Sequence, residues 1–198
     1  MISHLLRKTN PIYHEPLKKV IEELQIPNIP EFIATINYES DYGRTLEENL
    51  AYTINGLLKK FDRKRIKYEQ AVSYGKSAGF GGDPERIANL IYGGAWGLHN
   101  LGNTEPGDGW LYRGQGLIHI LGRNDWIELN QHLGIDSTVP TTVMSSPELL
   151  AQAAGWVWQR NHLGKAGDNL LAITKRLRGP VDTTHRTRST YRSIILAE

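Results

Sequence analysis

The residues best placed to do chemistry are two glutamates, Glu39 and Glu48, in the stretch FIATINYESDYGRTLEENLAY. Hydrolysis of a glycosidic bond uses two carboxyl groups, one protonated and one ionised, so the two need different surroundings. Phe32, Ile36 and Glu39 fall at i, i+4 and i+7 of a helix that Pro30 would start, which puts Glu39 at the end of an apolar stripe. A carboxyl in that position is partly desolvated and favours its proton. Asp41, Tyr42 and Gly43 then end the helix in a turn. Glu48, between Glu47 and Asn49, has the polar neighbours that suit an ionised carboxylate. Taken alone, the pair reads as two surface glutamates. Its weight comes from the rest of the chain.

The elements that must carry the pair are helical. Leu17, Val20, Ile21 and Leu24 repeat at helical spacing before Pro27 and Pro30. Asp83 and Pro84 form a cap and first turn ahead of Ile87, Leu90 and Ile91. Asn124 is expected to cap a helix bearing Trp126, Leu129 and Leu133, stopped by Gly134. Ser146, Pro147 and Glu148 start another through Trp158. Asp168 opens one through Leu177, and a last helix spans about Thr184 to Leu196. Eight of the 20 glycines lie between Gly93 and Gly116, so that stretch is expected to be loop with short strands and no regular helix. Its Trp96, Trp110 and Tyr112 suit either sugar faces or the core. No internal repeat or linker divides the 198 residues, which are expected to form a single domain.

Composition narrows the classes. Without cysteine there is no disulfide framework, thiolate metal site or thiol nucleophile. No apolar run is long enough to span a bilayer. The start, MISHLLRKTNPIYHEP, lacks the apolar core of a secretory signal, which suits synthesis in a cytoplasm. The net charge of +2 does not demand a nucleic-acid partner. Lys175, Arg176, Arg178, Arg186, Arg188 and Arg192 do crowd the C-terminal stretch, as a solvated face or as an attraction to an anionic surface such as a cell wall. YGKSAGFGG lacks the first glycine of a phosphate loop, the seven histidines show no zinc spacing, and there is no G-x-S-x-G elbow.

The run GDGWLYRGQGLIHILGRNDW, residues 107 to 126, resembles the hallmark segment of glycoside hydrolase family 19, the chitinase-like enzymes that include many phage endolysins. YES and EENLAY are similar to the family's H-E-S and E-N-L-N-Y, with the two glutamates equally far apart. IANLIYGGAWGLHNLGNTEPGDG and AITKRLRGPVDTTHR resemble further family segments, in order, so the likeness runs from about Glu31 to Arg192.

That resemblance implies a mainly α, lysozyme-like bilobal fold with a Gly-rich loop and short-strand region lining a cleft. It implies an inverting hydrolase with Glu39 as general acid and Glu48 as general base, their carboxyls roughly 6.5–9.5 Å apart to admit a water. Tyr52, Arg113, Arg123 and Arg186 fall on positions that build or brace the cleft, and Asp182 on a position able to pair with Arg186. Several substrate-cleft positions depart from the family: Tyr38 stands for His, His119 for Gln, Leu121 for a water-holding Thr or Ser, Asp125 and Trp126 for Asn and Tyr, and Arg178 for Asn. Leucine cannot hydrogen-bond a water. The expectation is therefore a monomeric enzyme without metal or cofactor, with no nucleic-acid or membrane-inserting role, that cleaves β-1,4 bonds of peptidoglycan in preference to chitin. The alternatives are a wall-binding protein without activity, which Leu121, His119 and Arg178 favour, and a lytic transglycosylase, with which Leu121 is compatible but which leaves the Glu48 motif unexplained.

Overall fold

The computed structural model describes residues 1–61, 65–178 and 185–197, with the side chains of 178 and 185–188 left aside. About 60% of the chain is helical with almost no strand, the mainly α class that the resemblance implies. Its residues gather into two compact units, one of 1–46, 116–119 and 143–198, the other of 47–115 and 120–142.

In chain order the first unit opens with α1 (Ile2–Leu5), α2 (His14–Glu23) and α3 (Ile29–Glu39). The second unit holds α4 (Ile54–Lys60), α5 (Tyr68–Tyr74), α6 (Pro84–Ile91), α7 (Gly94–Leu101), α8 (Asp108–Leu111) and α9 (Arg123–His132). Short α10 (Thr141–Met144) takes the chain back to α11 (Pro147–Arg160), α12 (Leu170–Arg178) and α13 (His185–Leu196) in the first unit.

α3 is the central helix of the first unit. The spacing predicts one apolar stripe, but the structure buries Ile33, Ala34, Thr35 and Asn37 as well as Phe32 and Ile36. Thr35 Oγ1 donates to the Glu31 carbonyl at 2.8 Å, and Asn37 Oδ1 accepts from Thr9 Oγ1 at 2.8 Å, while Asn37 Nδ2 is buried without a hydrogen-bond partner. Such bonds offset the cost of burying the hydroxyls and the amide oxygen. Phe32 meets Trp158 of α11 edge to face at 5.2 Å. α13 supplies the most extensive cover, through Tyr191 against Tyr38 and an ion pair from Arg192 to the buried Glu31.

The core of the second unit is Leu50, Leu57, Phe61, Ile66, Ala71, Ile87, Ile91 and Tyr92. Asp83 caps α6 as expected, its Oδ1 accepting from the Arg86 amide at 3.0 Å, and Ser146 likewise caps α11. Two caps move. α9 starts at Arg123 after Gly122, which puts Asn124 inside the helix, and Asn169 rather than Asp168 accepts from an amide of α12, that of Ala172. The Gly-rich stretch holds two helices, α7 and α8, where only loop and strand were expected. Gly93 and Gly102 bound α7, and inside it Gly97 packs so close to the Tyr92 carbonyl that a Cβ would stand 1.9 Å from it. These glycines are caps and contacts, not breakers. Among the described residues the strand content is a few isolated pairings, Gln115 with Ile120 and Glu47 with Gln115 among them.

Candidate active site

Glu39 is the last residue of α3, and its side chain is 3% exposed. Ser40 closes the helix by donating from Oγ to the Ile36 carbonyl at 2.7 Å and accepting from the Gly43 amide at 2.9 Å. The chain then makes a left-handed turn, with Asp41, Tyr42 and Gly43 at φ of 46°, 60° and 79°. Two of these three are not glycine, so the turn costs about 1–2 kcal/mol at each. Surrounding bonds hold it: the Tyr42 amide donates to the Asn37 carbonyl at 2.9 Å and the Asn10 amide to the Tyr42 carbonyl at 2.7 Å. At Gly43 a Cβ would lie 2.8 Å from the Tyr13 ring. Tyr42 stacks near Tyr191 at 5.0 Å, and burial, with Tyr42, Asp41 and Tyr38 adding to it, raises the Tyr191 phenol above its ordinary value.

His119 belongs to the same unit as Glu39 although 80 residues separate them in sequence. Gln115 and Ile120 exchange backbone hydrogen bonds of 3.1 and 2.8 Å, and the four residues between them, Gly116 to His119, lie in the first unit. The Gly116 amide anchors them on the Leu46 carbonyl at 2.8 Å. This places His119 Nδ1 3.7 Å from Glu39 Oε2, beyond a hydrogen bond but close enough for charge on either to act on the other.

Glu48 belongs to the second unit and is half-buried. Its amide donates to the Gly114 carbonyl at 2.9 Å. Its carboxylate accepts on both oxygens, from the Gly114 amide at 2.6 Å and from the Tyr92 hydroxyl at 2.8 Å. The side chain thus has a fixed direction. Neighbouring Glu47 pairs with Arg113 at 2.6 Å; the Arg113 guanidinium also donates to the Trp110 carbonyl and lies 3.8 Å over the Trp110 ring.

Arg123 forks onto Asp108 with bonds of 2.8 and 2.7 Å, and Asp108 Oδ2 also accepts from the Thr104 and Glu105 amides. Burial would raise the Asp108 carboxyl, but the Arg123 fork and those amides outweigh it and hold Asp108 below its ordinary value of 3.8. The Arg123 amide itself donates to Asn103 Oδ1 at 3.0 Å. Both arginines therefore brace the second unit from within. Tyr52 accepts from Lys60 at 2.5 Å and packs edge-on to Phe61. Leu121 packs against the core of the second unit.

Trp126 stands as a correction. It is fully buried, so its ring has no face to offer a sugar and serves the core instead. Asp182 lies outside the described residues; Arg178 and Arg186 fall on α12 and α13, with their side chains outside them too. Tyr92, Asn103, Asp108 and Gly114 were missed as site residues, although each sits in a segment that carries the resemblance. Among the described residues, no group of three His, Asp or Glu side chains could hold a metal ion.

No family model matches the chain. A Haemophilus influenzae protein described as a glycosyl hydrolase family 19 domain-containing protein is 30% identical over 169 residues, covering 84% of this chain and 78% of the relative. With that identity across most of both chains, and with the two glutamates held in unlike settings, the chain belongs to glycosyl hydrolase family 19.

Proposed function

We propose that the protein is an inverting glycoside hydrolase that cleaves β-1,4 bonds in the glycan strands of peptidoglycan, as a lytic enzyme acting on the bacterial wall. The observation that carries the reading is the contrast between the two carboxyls. Glu39 sits with its side chain buried at a helix end, whereas Glu48 is half-buried and accepts two hydrogen bonds, from the Gly114 amide and the Tyr92 hydroxyl. In this mechanism Glu39 gives its proton to the glycosidic oxygen as the bond to the anomeric carbon breaks. Glu48 takes a proton from a water whose oxygen attacks that carbon from the opposite face, leaving a new reducing end of inverted configuration. No step needs a metal or an organic cofactor.

Peptidoglycan is favoured over chitin by the basic C-terminal sequence, the absence of cysteine and the likeness of the motifs to phage and bacterial members. The test is release of sugar from purified peptidoglycan and from chitin oligomers. Glu39→Gln and Glu48→Gln should each lower the rate at least about 100-fold. A wild-type protein that releases nothing from either polymer overturns the reading. Leu121 favours a second reading, a lytic transglycosylase, because it offers an attacking water no hydrogen bond. Anhydro-sugar ends in place of reducing ends would establish that alternative.

A further inference from the structure

The proposed mechanism gives no part to Glu47 or Arg113, yet both stand beside Glu48 on one backbone pairing. Glu47 and Gln115 form an isolated antiparallel bridge, and one step along it the Glu48 amide donates to the Gly114 carbonyl at 2.9 Å. Here neighbouring carboxylates meet neighbouring donors. The Arg113 guanidinium holds Glu47 at 2.6 Å, and the Gly114 amide donates to Glu48 at 2.6 Å. Arg113 is anchored from its other side: it donates to the Trp110 carbonyl at 2.8 Å and lies 3.8 Å over the Trp110 ring, with its side chain 11% exposed. Trp110 in turn donates from its amide to Asn89 Oδ1 of α6 at 2.8 Å and packs against the core of the second unit. A line of contacts therefore runs from that core through Trp110 and Arg113 to Glu47, the residue next to Glu48.

We propose that Glu47 and Arg113 are positioning residues for Glu48, a pair that keeps the Gly114 amide for the Glu48 carboxylate. The inference rests on the hydrolase reading for the role of Glu48 as base, and on the pairing itself for the positioning. A backbone amide is a single donor, and two carboxylates adjacent in sequence both attract it. They also repel each other. The charge-assisted bond from Arg113 occupies Glu47 and offsets its charge, which leaves the Gly114 amide to Glu48. Because the guanidinium is stacked flat on an indole, it fixes a direction as well as a charge, and a lysine would supply the charge alone. The Glu47 side chain is 51% exposed, and an ion pair so exposed adds little to stability. Its signature is therefore expected in turnover and in the Gly114 amide, not in melting.

The test compares Glu47→Gln, Arg113→Gln and the double variant, all in the full chain. Steady-state kinetics on soluble oligomers of peptidoglycan and of chitin is one readout; hydrogen exchange of the Gly114 amide, followed by NMR, is the other. Each single variant should lower kcat about five-fold with KM unchanged, and the double variant should be no worse than either. Arg113→Lys should recover part of the loss. The Gly114 amide should exchange about five-fold faster in both single variants while amides of α6 keep their wild-type rates. Wild-type kcat in Glu47→Gln, a change on an exposed side chain, overturns the proposal. So does a raised KM with kcat held, which would put the pair on the substrate, and so do losses that multiply in the double variant. Should the wild type hydrolyse neither polymer, the enzyme reading fails by itself. The exchange rates then still decide whether the pair keeps the Gly114 amide for Glu48: faster exchange in Glu47→Gln sustains it, and an equal rate sinks it.

Discussion

Glu48 is oriented by two donors that come from distant parts of the chain, the Tyr92 hydroxyl 44 residues away and the Gly114 amide 66 away. A hydrogen bond to a charged group is worth about 1.5–3 kcal/mol. On the proposed mechanism, Tyr92→Phe should therefore lower kcat about ten-fold or more with KM little changed, because it loosens Glu48 without touching the sugar; steady-state kinetics on a soluble oligomer reads the split. Leu121→Thr restores a hydroxyl at the position where related enzymes hold the water. It should raise kcat while costing roughly 1 kcal/mol of apolar burial, seen as a small fall in Tm. No gain in kcat would mean that the water is held by other groups. The unlike settings of the two glutamates, one at a buried helix end and one half-exposed, were legible from residue types and spacing. Their partners were not, because a hydroxyl and an amide this remote leave no mark in local spacing.

Among the elements, α8 and α9 are tied at their first turns by Asp108 and Arg123, and the tie has a definite pH dependence. Asp108 titrates below its ordinary value when folded, so it stabilises the fold above about pH 4 and loses that contribution as pH falls through its folded value. Asp108→Asn should cost about 2 kcal/mol near neutral pH, and the gap in Tm from wild type should close below about pH 4. A gap that stays constant to pH 3 would mean that shape, not charge, is what Asp108 supplies. Helices with caps and apolar periodicity, such as α2, α6 and α11, could be read directly from the sequence. α7 and α8 could not, because glycine marks a cap, a close backbone approach and a loop alike, and only the neighbour distinguishes them. Trp126 shows the same limit: its place in a motif suggested the substrate, and the packing of α9 put it in the core.

Across the whole molecule, the helix that bears Glu39 depends on a partner far along the chain. Arg192 of α13 pairs with Glu31 of α3, a carboxylate only 3% exposed, across 161 residues of sequence. Removing one member of such a pair strands the other, at about 3 kcal/mol. Arg192→Ala should lower Tm by roughly 6–12 °C, as measured by calorimetry. Activity per folded molecule at 20 °C should fall as well if α13 also holds α3 in place; a full loss of stability with normal turnover would separate the two roles.

That distance also sets an order in time. At about 5–20 residues per second of synthesis, α13 follows α3 out of the ribosome by roughly 8–32 seconds. Glu48, Tyr92 and Gly114 have all been made before then, so Glu48 can take up its two hydrogen bonds while the helix that ends in Glu39 still waits for its cover. The nascent chain thus carries α3 bare until α13 docks on it.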